Sequence, residues 1–188
     1  DRQNRTGNVL LDLGLKPGDR VLMVVMDCFE FFYLFCGAIK AGIVPVPLNT
    51  MWKAKDYQFT FEDSDCQAVV YSQAFAAEVK AALDAMGRSD MGLVVEGESR
   101  SLTTLLAEAP VELETAPGSA EGDAFWLYSS GSTGNPKGTV HRHQTMIALG
   151  QHYASDTLGM TEDDRCFSAP KLFFGYGLGC GFYMPAYV

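Results

Sequence analysis

Lys16-Pro17-Gly18-Asp19-Arg20-Val21-Leu22-Met23-Val24-Val25-Met26 sets a turn signal directly before an almost unbroken apolar run. An apolar run without polar alternation is what a strand covered on both faces requires. Arg20–Met26 is therefore predicted to be a central strand with helices on either side. Moving outward, Cys28–Ala41 is a long apolar segment stopped by Gly42 and reads as a helix. Val44-Pro45-Val46-Pro47 cannot be a central strand, because each proline lacks a ladder donor; it is predicted to be an edge strand or a connector. Trp52–Asp63 reads as helix, Ala68–Ser72 as strand, Ala74–Met86 as an Ala-rich helix, and Gly92–Val95 begins another strand. Residues 107–123 are acidic, contain Pro and Gly, and read as a surface linker. Phe125–Ser130 returns to strand. It is followed by a loop at Gly131–Gly138, a short strand at Thr139–His141 and a helix from His143 to about Leu158. This alternation predicts an α/β fold with a largely parallel sheet flanked by helices.

The composition is globular. Of 188 residues 47% are apolar and 20% charged, which excludes disordered, collagen-like and coiled-coil classes. A net charge of −9 lacks the basic footprint of a general nucleic-acid binder. No uncharged apolar run approaches the roughly 18 residues of a membrane span. Asp1-Arg2-Gln3-Asn4-Arg5 is not a signal peptide and carries no initiator Met, so the chain is expected to begin inside a longer reading frame. Cys28, Cys36, Cys66, Cys166 and Cys180 are widely spaced and include no C-x-x-C. They are expected to be free thiols in a reducing cytoplasm.

The most informative stretch chemically is Tyr128-Ser129-Ser130-Gly131-Ser132-Thr133-Gly134-Asn135-Pro136-Lys137-Gly138. Its three glycines let the backbone turn and aim consecutive N–H groups at an anion. Ser129, Ser130, Ser132 and Thr133 add rotatable donors, and Lys137 adds a point charge on a flexible stem. By composition alone a solvated Gly/Ser turn reads equally well. The charge distribution favours a polyphosphate loop: residues 124–155 hold no acid in a chain with 23, yet they contain Lys137, Arg142 and all three histidines. Residues 165–188 are also free of acids. The loop is not a Walker A motif, since Pro136 replaces the second glycine and Gly138 the magnesium-holding hydroxyl.

Other signatures fail. Gly175-Tyr176-Gly177-Leu178-Gly179 is followed by Cys180 where a G-x-G-x-x-G dinucleotide fingerprint requires its last glycine, and no G-x-S-x-G elbow occurs. Val21–Asp27 looks like a Walker B strand but lies upstream of the loop, so Asp27 is read as a strand-end or helix-cap residue. His141-x-His143 lacks a third ligand at usable spacing and reads as structural. Seven aromatics fall between Arg165 and Val188. Phe173, Phe182 and Tyr183 are expected in the core, whereas Phe174 and Tyr176, beside glycines, are expected to line a pocket against which a flat apolar molecule can stack.

Tyr128–Gly138 resembles, at every position, the [YF]-[TS]-S-G-[ST]-T-G-x-P-K-G signature of the adenylate-forming (AMP-binding) superfamily of acyl-CoA synthetases, luciferases and peptide-synthetase adenylation domains. Leu15–Val21 is similar to its LGVKPGDRV entry to the first strand. Ala38–Asn49 is similar to its A-x-K-A-G-x-x-x-V-P-x-N segment. The chain looks most like the benzoate-CoA ligase branch: Phe125–Gly134 has that branch's form of the loop. Lys171–Gly179 is similar to its K-L-F-F-A-Y-G-L-G stretch, with Gly175 where Ala is usual and hence a methyl fewer on the pocket wall. Arg142 stands where many members have a small residue.

The resemblance implies two half-reactions. A carboxylate attacks the α-phosphorus of ATP to give an acyl-adenylate and pyrophosphate, and the thiolate of coenzyme A then displaces AMP. Ser129, Ser130, Gly131, Ser132, Thr133, Gly134, Lys137 and Gly138 would hold the phosphates, with Thr133 helping to position a Mg2+–phosphate unit and Lys137 neutralising charge. Phe174, Gly175 and Tyr176 would line the pocket for an aromatic carboxylic acid. The resemblance also implies that residues 1–188 are part of a large N-terminal domain: 1–106 α/β, 107–123 linker, 124–188 phosphate loop and acyl pocket. The Y-G-x-T-E motif, ribose-binding Asp, hinge and catalytic Lys are absent from these residues, so the 188-residue chain alone is expected not to turn over. Other expectations compatible with the loop are a synthetase for fatty or other acids and a non-catalytic nucleotide-binding module.

Overall fold

The computed structural model describes residues 1–97, 99–129 and 134–188. Its helices and strands run α1 (Arg2–Asp12), β1 (Arg20–Val24), α2 (Phe29–Lys40), β2 (Val44–Pro47), α3 (Ala54–Asp63), β3 (Ala68–Tyr71), α4 (Ala76–Ala85), β4 (Gly92–Val94), α5 (Leu102–Glu108), β5 (Asp123–Ser129), β6 (Lys137–Arg142), α6 (His143–Leu149) and α7 (Gly175–Leu178). Strands β1–β4 form a parallel sheet in the order β2-β1-β3-β4, and β5 and β6 form an antiparallel pair. The expected α/β architecture with a largely parallel sheet is therefore present, and the loop stretch joins an antiparallel hairpin.

Strand β1 is buried on both faces, as its apolar run requires. Val21, Met23 and Val25 point into a core shared with Phe31, Leu34 and Phe35 of α2, while Leu22 and Val24 point into a second core with Tyr57 and Phe61 of α3. Strand β3 divides the same way, with Val70 on one side and Val69 and Tyr71 on the other. Successive side chains of a strand face opposite ways, so one apolar sequence serves both cores. Helix α2 buries Phe31, Leu34, Phe35 and Ala38, a spacing that gathers one face of a 3.6-residue helix. It stops where the sequence placed Gly42. That residue adopts φ +76°, with its N–H bonded to Ile39 O at 3.0 Å and the Ile43 N–H to Ala38 O at 2.9 Å.

Strand β2 is an edge of the parallel ladder. The N–H groups of Val44 and Leu48 reach Asp19 O (2.8 Å) and Met23 O (2.9 Å) on the β1 side. By alternation Pro45 and Pro47 turn outward, where β1 asks for no donor. Strand β5 lies against that outer edge without a backbone ladder to it among the described residues. The prolines supply no donors to build one.

Some boundaries differ from the reading of the sequence. Helices α1 and α5 have no counterpart in the predicted alternation. Helix α1 packs with small residues: a Cβ on Gly37 would come 2.5 Å from Gln3 O and 3.0 Å from Gly7 N. It therefore carries no broad apolar stripe. Residues 107–123 begin inside α5 and end in β5, and the stretch between is a strap held down by α1. Asn4 Nδ2 donates to Val111 O (2.9 Å), and Asn8 Nδ2 to Pro110 O and Glu112 O (both 2.9 Å). The helix predicted to reach Leu158 is α6 followed by a wider π-helical turn over Gly150–Ser155. Among the described residues no helix is long and apolar enough to cross a membrane.

Candidate active site

The loop stretch is presented by the β5–β6 hairpin. Ser129 ends β5 and pairs with Lys137, and Tyr128 pairs with Gly138, so Lys137 and Gly138 belong to strand β6 rather than to the loop. Ser130, Gly131, Ser132 and Thr133 lie outside the described residues. Gly134 has φ +132°, a backbone conformation that side-chain-bearing residues rarely adopt. Gly138 sits on the Tyr128 ring, where an added Cβ would approach Cζ to 3.2 Å. Its lack of a side chain thus brings the two stems together. Lys137 is exposed on the hairpin.

Tyr128 anchors the hairpin to the sheet's second face. Its hydroxyl donates to Asp63 Oδ2 at 2.6 Å, at the last residue of α3. Burial first, then this carboxylate, raises the phenol well above its ordinary range and keeps it a donor. On the other face of the hairpin, His141 stacks flat on Phe125 with centroids 4.5 Å apart and an interplanar angle of 3°. Burial lowers the imidazole pKa and favours its neutral form. His143 opens α6, so the two histidines serve different elements. Arg142 pairs with Glu121, the acid just before the hairpin.

A cavity of about 370 Å³ opens beside the end of β5. Leu127, Tyr128 and Ser129 form one wall, and Phe173, Phe174 and Gly175 another. Asn49 and Trp52, from the turn after β2, and Thr139 and His141 of β6 complete it. It lies beyond the carboxyl end of β2, where open α/β sheets bind ligands. Its lining combines the rings of Trp52, Tyr128, Phe173 and Phe174 with polar groups on Asn49, Ser129, Thr139 and His141, which suits a flat apolar molecule with one polar end. A larger, apolar cleft of about 780 Å³ runs between α2, residues 115–119 and α6. Among the described residues, none of the loop stretch lines it.

Of the residues expected at the site, Ser129, Phe174 and Gly175 come together in this cavity. Tyr176 does not line it: it is 68% exposed on the first turn of α7, whose helical rotation carries it away from its neighbour Phe174. Phe173 is buried, and Phe182 and Tyr183 pack against the core, as expected. Of the two readings of Asp27, strand end or helix cap, the cap does not hold. Cys28 occupies the cap position of α2, and the Asp27 carboxylate instead accepts the Leu172 N–H (3.2 Å) and pairs with Lys171 (3.4 Å).

The sequence reading missed Asn49, Trp52 and His141 as wall residues. Tyr57 holds the turn that carries the first two: its hydroxyl donates to Asn49 O at 2.9 Å and its ring meets Trp52 edge-on. Asn49 Oδ1 accepts the Met51 N–H at 2.9 Å, an Asx-turn whose sequence signal is the Asn itself.

This hairpin and its neighbouring parallel sheet define an AMP-binding enzyme domain: residues 1–188 match that family throughout, and the chain belongs to it. It is 44% identical over 186 residues to a benzoate–CoA ligase of Thauera aromatica, covering 98% of this chain and 35% of that protein. Among solved structures, a benzoate CoA ligase from Burkholderia xenovorans superposes with a TM-score of 0.89 at 36% identity, over 98% of this chain and 36% of the other. An anthranilate CoA ligase in complex with anthranoyl-AMP superposes with a TM-score of 0.93 at 31% identity, over 100% and 37%. The chain thus spans about a third of the length of the relatives it matches.

Proposed function

We propose that the protein carrying this chain is an ATP-dependent aryl-acid CoA ligase that works through an acyl-adenylate. The observation that carries the reading is the shared cavity: the stem of the glycine–hydroxyl loop at Ser129 and the aromatic turn at Phe174–Gly175 face one space of about 370 Å³. A carboxylate held there lies beside the loop that would hold the triphosphate. Benzoate-like acids are ionised near neutral pH, so attack on the α-phosphorus needs no general base. It needs alignment of the carboxylate with the phosphorus and neutralisation of the departing pyrophosphate. Ser129, Ser130, Ser132, Thr133 and Lys137 suit that task by the donors and the charge of their side chains, and glycines at 131 and 134 put no side chain in the way of an anion. Residues 124–155 contain no carboxylate, a composition that fits a Mg2+ ion carried on the triphosphate and steadied by hydroxyls such as that of Thr133. Bound there, the ion would neutralise phosphate charge. In the second half-reaction the thiolate of coenzyme A adds to the acyl carbon and AMP leaves. Phe174, Gly175 and Trp52 form the wall of the acid site.

The test uses the full-length protein with ATP and benzoate, 4-hydroxybenzoate, 2-aminobenzoate or octanoate, reading acyl-AMP and thioester. Formation of both from an aryl acid is expected, with loss of about 100-fold or more in Lys137→Ala and Gly134→Val. A clear preference for octanoate would overturn the aryl assignment. Full activity in both variants would remove the loop from the mechanism.

A further inference from the structure

We infer that Asp27 is a positioning residue for the acid site, holding the turn that presents Phe174 and Gly175 to the cavity. The inference rests on the aryl-acid reading above and adds a residue outside the cavity wall. Asp27 lies three residues beyond β1, the strand buried on both faces and therefore the most firmly fixed element in the sheet. Its Oδ1 accepts the Leu172 N–H across 145 residues of chain at 3.2 Å. Its Oδ2 lies 3.4 Å from Lys171 Nζ. The lysine is 59% exposed, so the ion pair contributes little, and the hydrogen bond to a charged acceptor carries the contact.

The bonded amide lies within the turn Lys171–Phe174, closed by the Phe174 N–H to Lys171 O at 3.1 Å. From below, Leu172 and Phe173 are buried in the core. Gly177 packs its bare Cα against the carbonyls of Lys171 and Pro170, where a Cβ would collide with backbone. Apolar burial holds the turn down, and the bond to Asp27 fixes where it sits along the end of the sheet. Phe174 is the next residue but one after Leu172, and its ring lies 4.3 Å from that of Phe173. A shift of this turn therefore moves the aromatic wall while leaving Ser129 and the hairpin in place.

The test compares full-length wild type with Asp27→Ala and Asp27→Asn. In Asp27→Ala the KM for benzoate is expected to rise about tenfold, while the KM for ATP stays within about twofold. Asp27→Asn keeps an oxygen for the Leu172 N–H and is expected to restore the benzoate KM to within about threefold of wild type. Hydrogen exchange at the Leu172 amide is expected to quicken in the Ala variant and not in the Asn variant. Equal changes for ATP and benzoate, no change for either, or an Asn variant as poor as Ala would overturn the inference. If wild type forms no adenylate from any aryl acid, the functional reading fails. The exchange measurement then decides the role of Asp27 by itself, and an unaltered Leu172 amide in Asp27→Ala would refute it.

Discussion

Cys66 illustrates how much a single buried group can report. Its thiol is 1% exposed beneath α3, and burial pushes its pKa from an ordinary 9.0 to about 12. Cys36 is pushed to about 11 for the same reason. From about pH 9 up to about pH 11 for Cys36 and about pH 12 for Cys66 the unfolded chain has lost these protons while the folded chain keeps them, so stability falls as pH rises through that window. Below about pH 9 both states hold the protons and the contribution is fully present. The thermal midpoint of the full-length protein is therefore expected to fall across that window, less steeply in Cys66→Ala. Parallel pH profiles for the two proteins would count against a buried thiol. Gly138 and Asp27 make a related point about what sequence conveys. Gly138 reads as a phosphate-loop glycine, yet in the structure it also lets Tyr128 lie across the hairpin. Asp27 reads as a local strand end or helix cap, because its hydrogen-bond partner Leu172 lies 145 residues away. Local patterns show which conformations a residue allows, and they carry no information about distant partners.

Among the elements, those with one strong local signal were legible. β1 is marked by an unbroken apolar run, α2 by its apolar face and glycine stop, and β2 by the two prolines that confine it to an edge. Helices α1 and α5 were not legible, since each is stabilised chiefly by what crosses it. Helix α5 is short and begins at Ser101, whose hydroxyl accepts the Thr104 N–H at 3.3 Å. Its other end is closed from α1: Arg5 Nη1 donates to the carbonyls of Leu106 (3.0 Å), Ala107 (3.3 Å) and Ala109 (2.5 Å). These are the last-turn acceptors that a helix leaves unsatisfied. Arg5→Ala is expected to cost about 1–3 kcal/mol in denaturant unfolding of the full-length protein and to speed proteolysis within 109–122. An unchanged midpoint together with unchanged cleavage would mean that α1 does not secure the strap.

At the scale of the whole molecule, a parallel sheet buried on both faces supports an antiparallel hairpin and an aromatic turn that meet at one cavity. The two walls of that cavity were legible as separate motifs, the loop from its glycines and hydroxyls and the turn from its aromatics. Their meeting was not, because it depends on β5 lying along the proline edge of β2 and on the turn docking at the end of β1. Tyr176 shows the same gap: its place beside Phe174 in sequence suggested a shared pocket, and the start of α7 separates them. The proposed chemistry requires nucleotide and acid to meet at this junction. The most direct measurement is a crystal structure of the full-length protein with benzoate and a non-hydrolysable ATP analogue. The triphosphate is expected along residues 129–138 and the benzoate ring against Phe174 and Trp52, its carboxylate toward the nucleotide. Both ligands bound away from the β5–β6 hairpin would contradict the proposed chemistry.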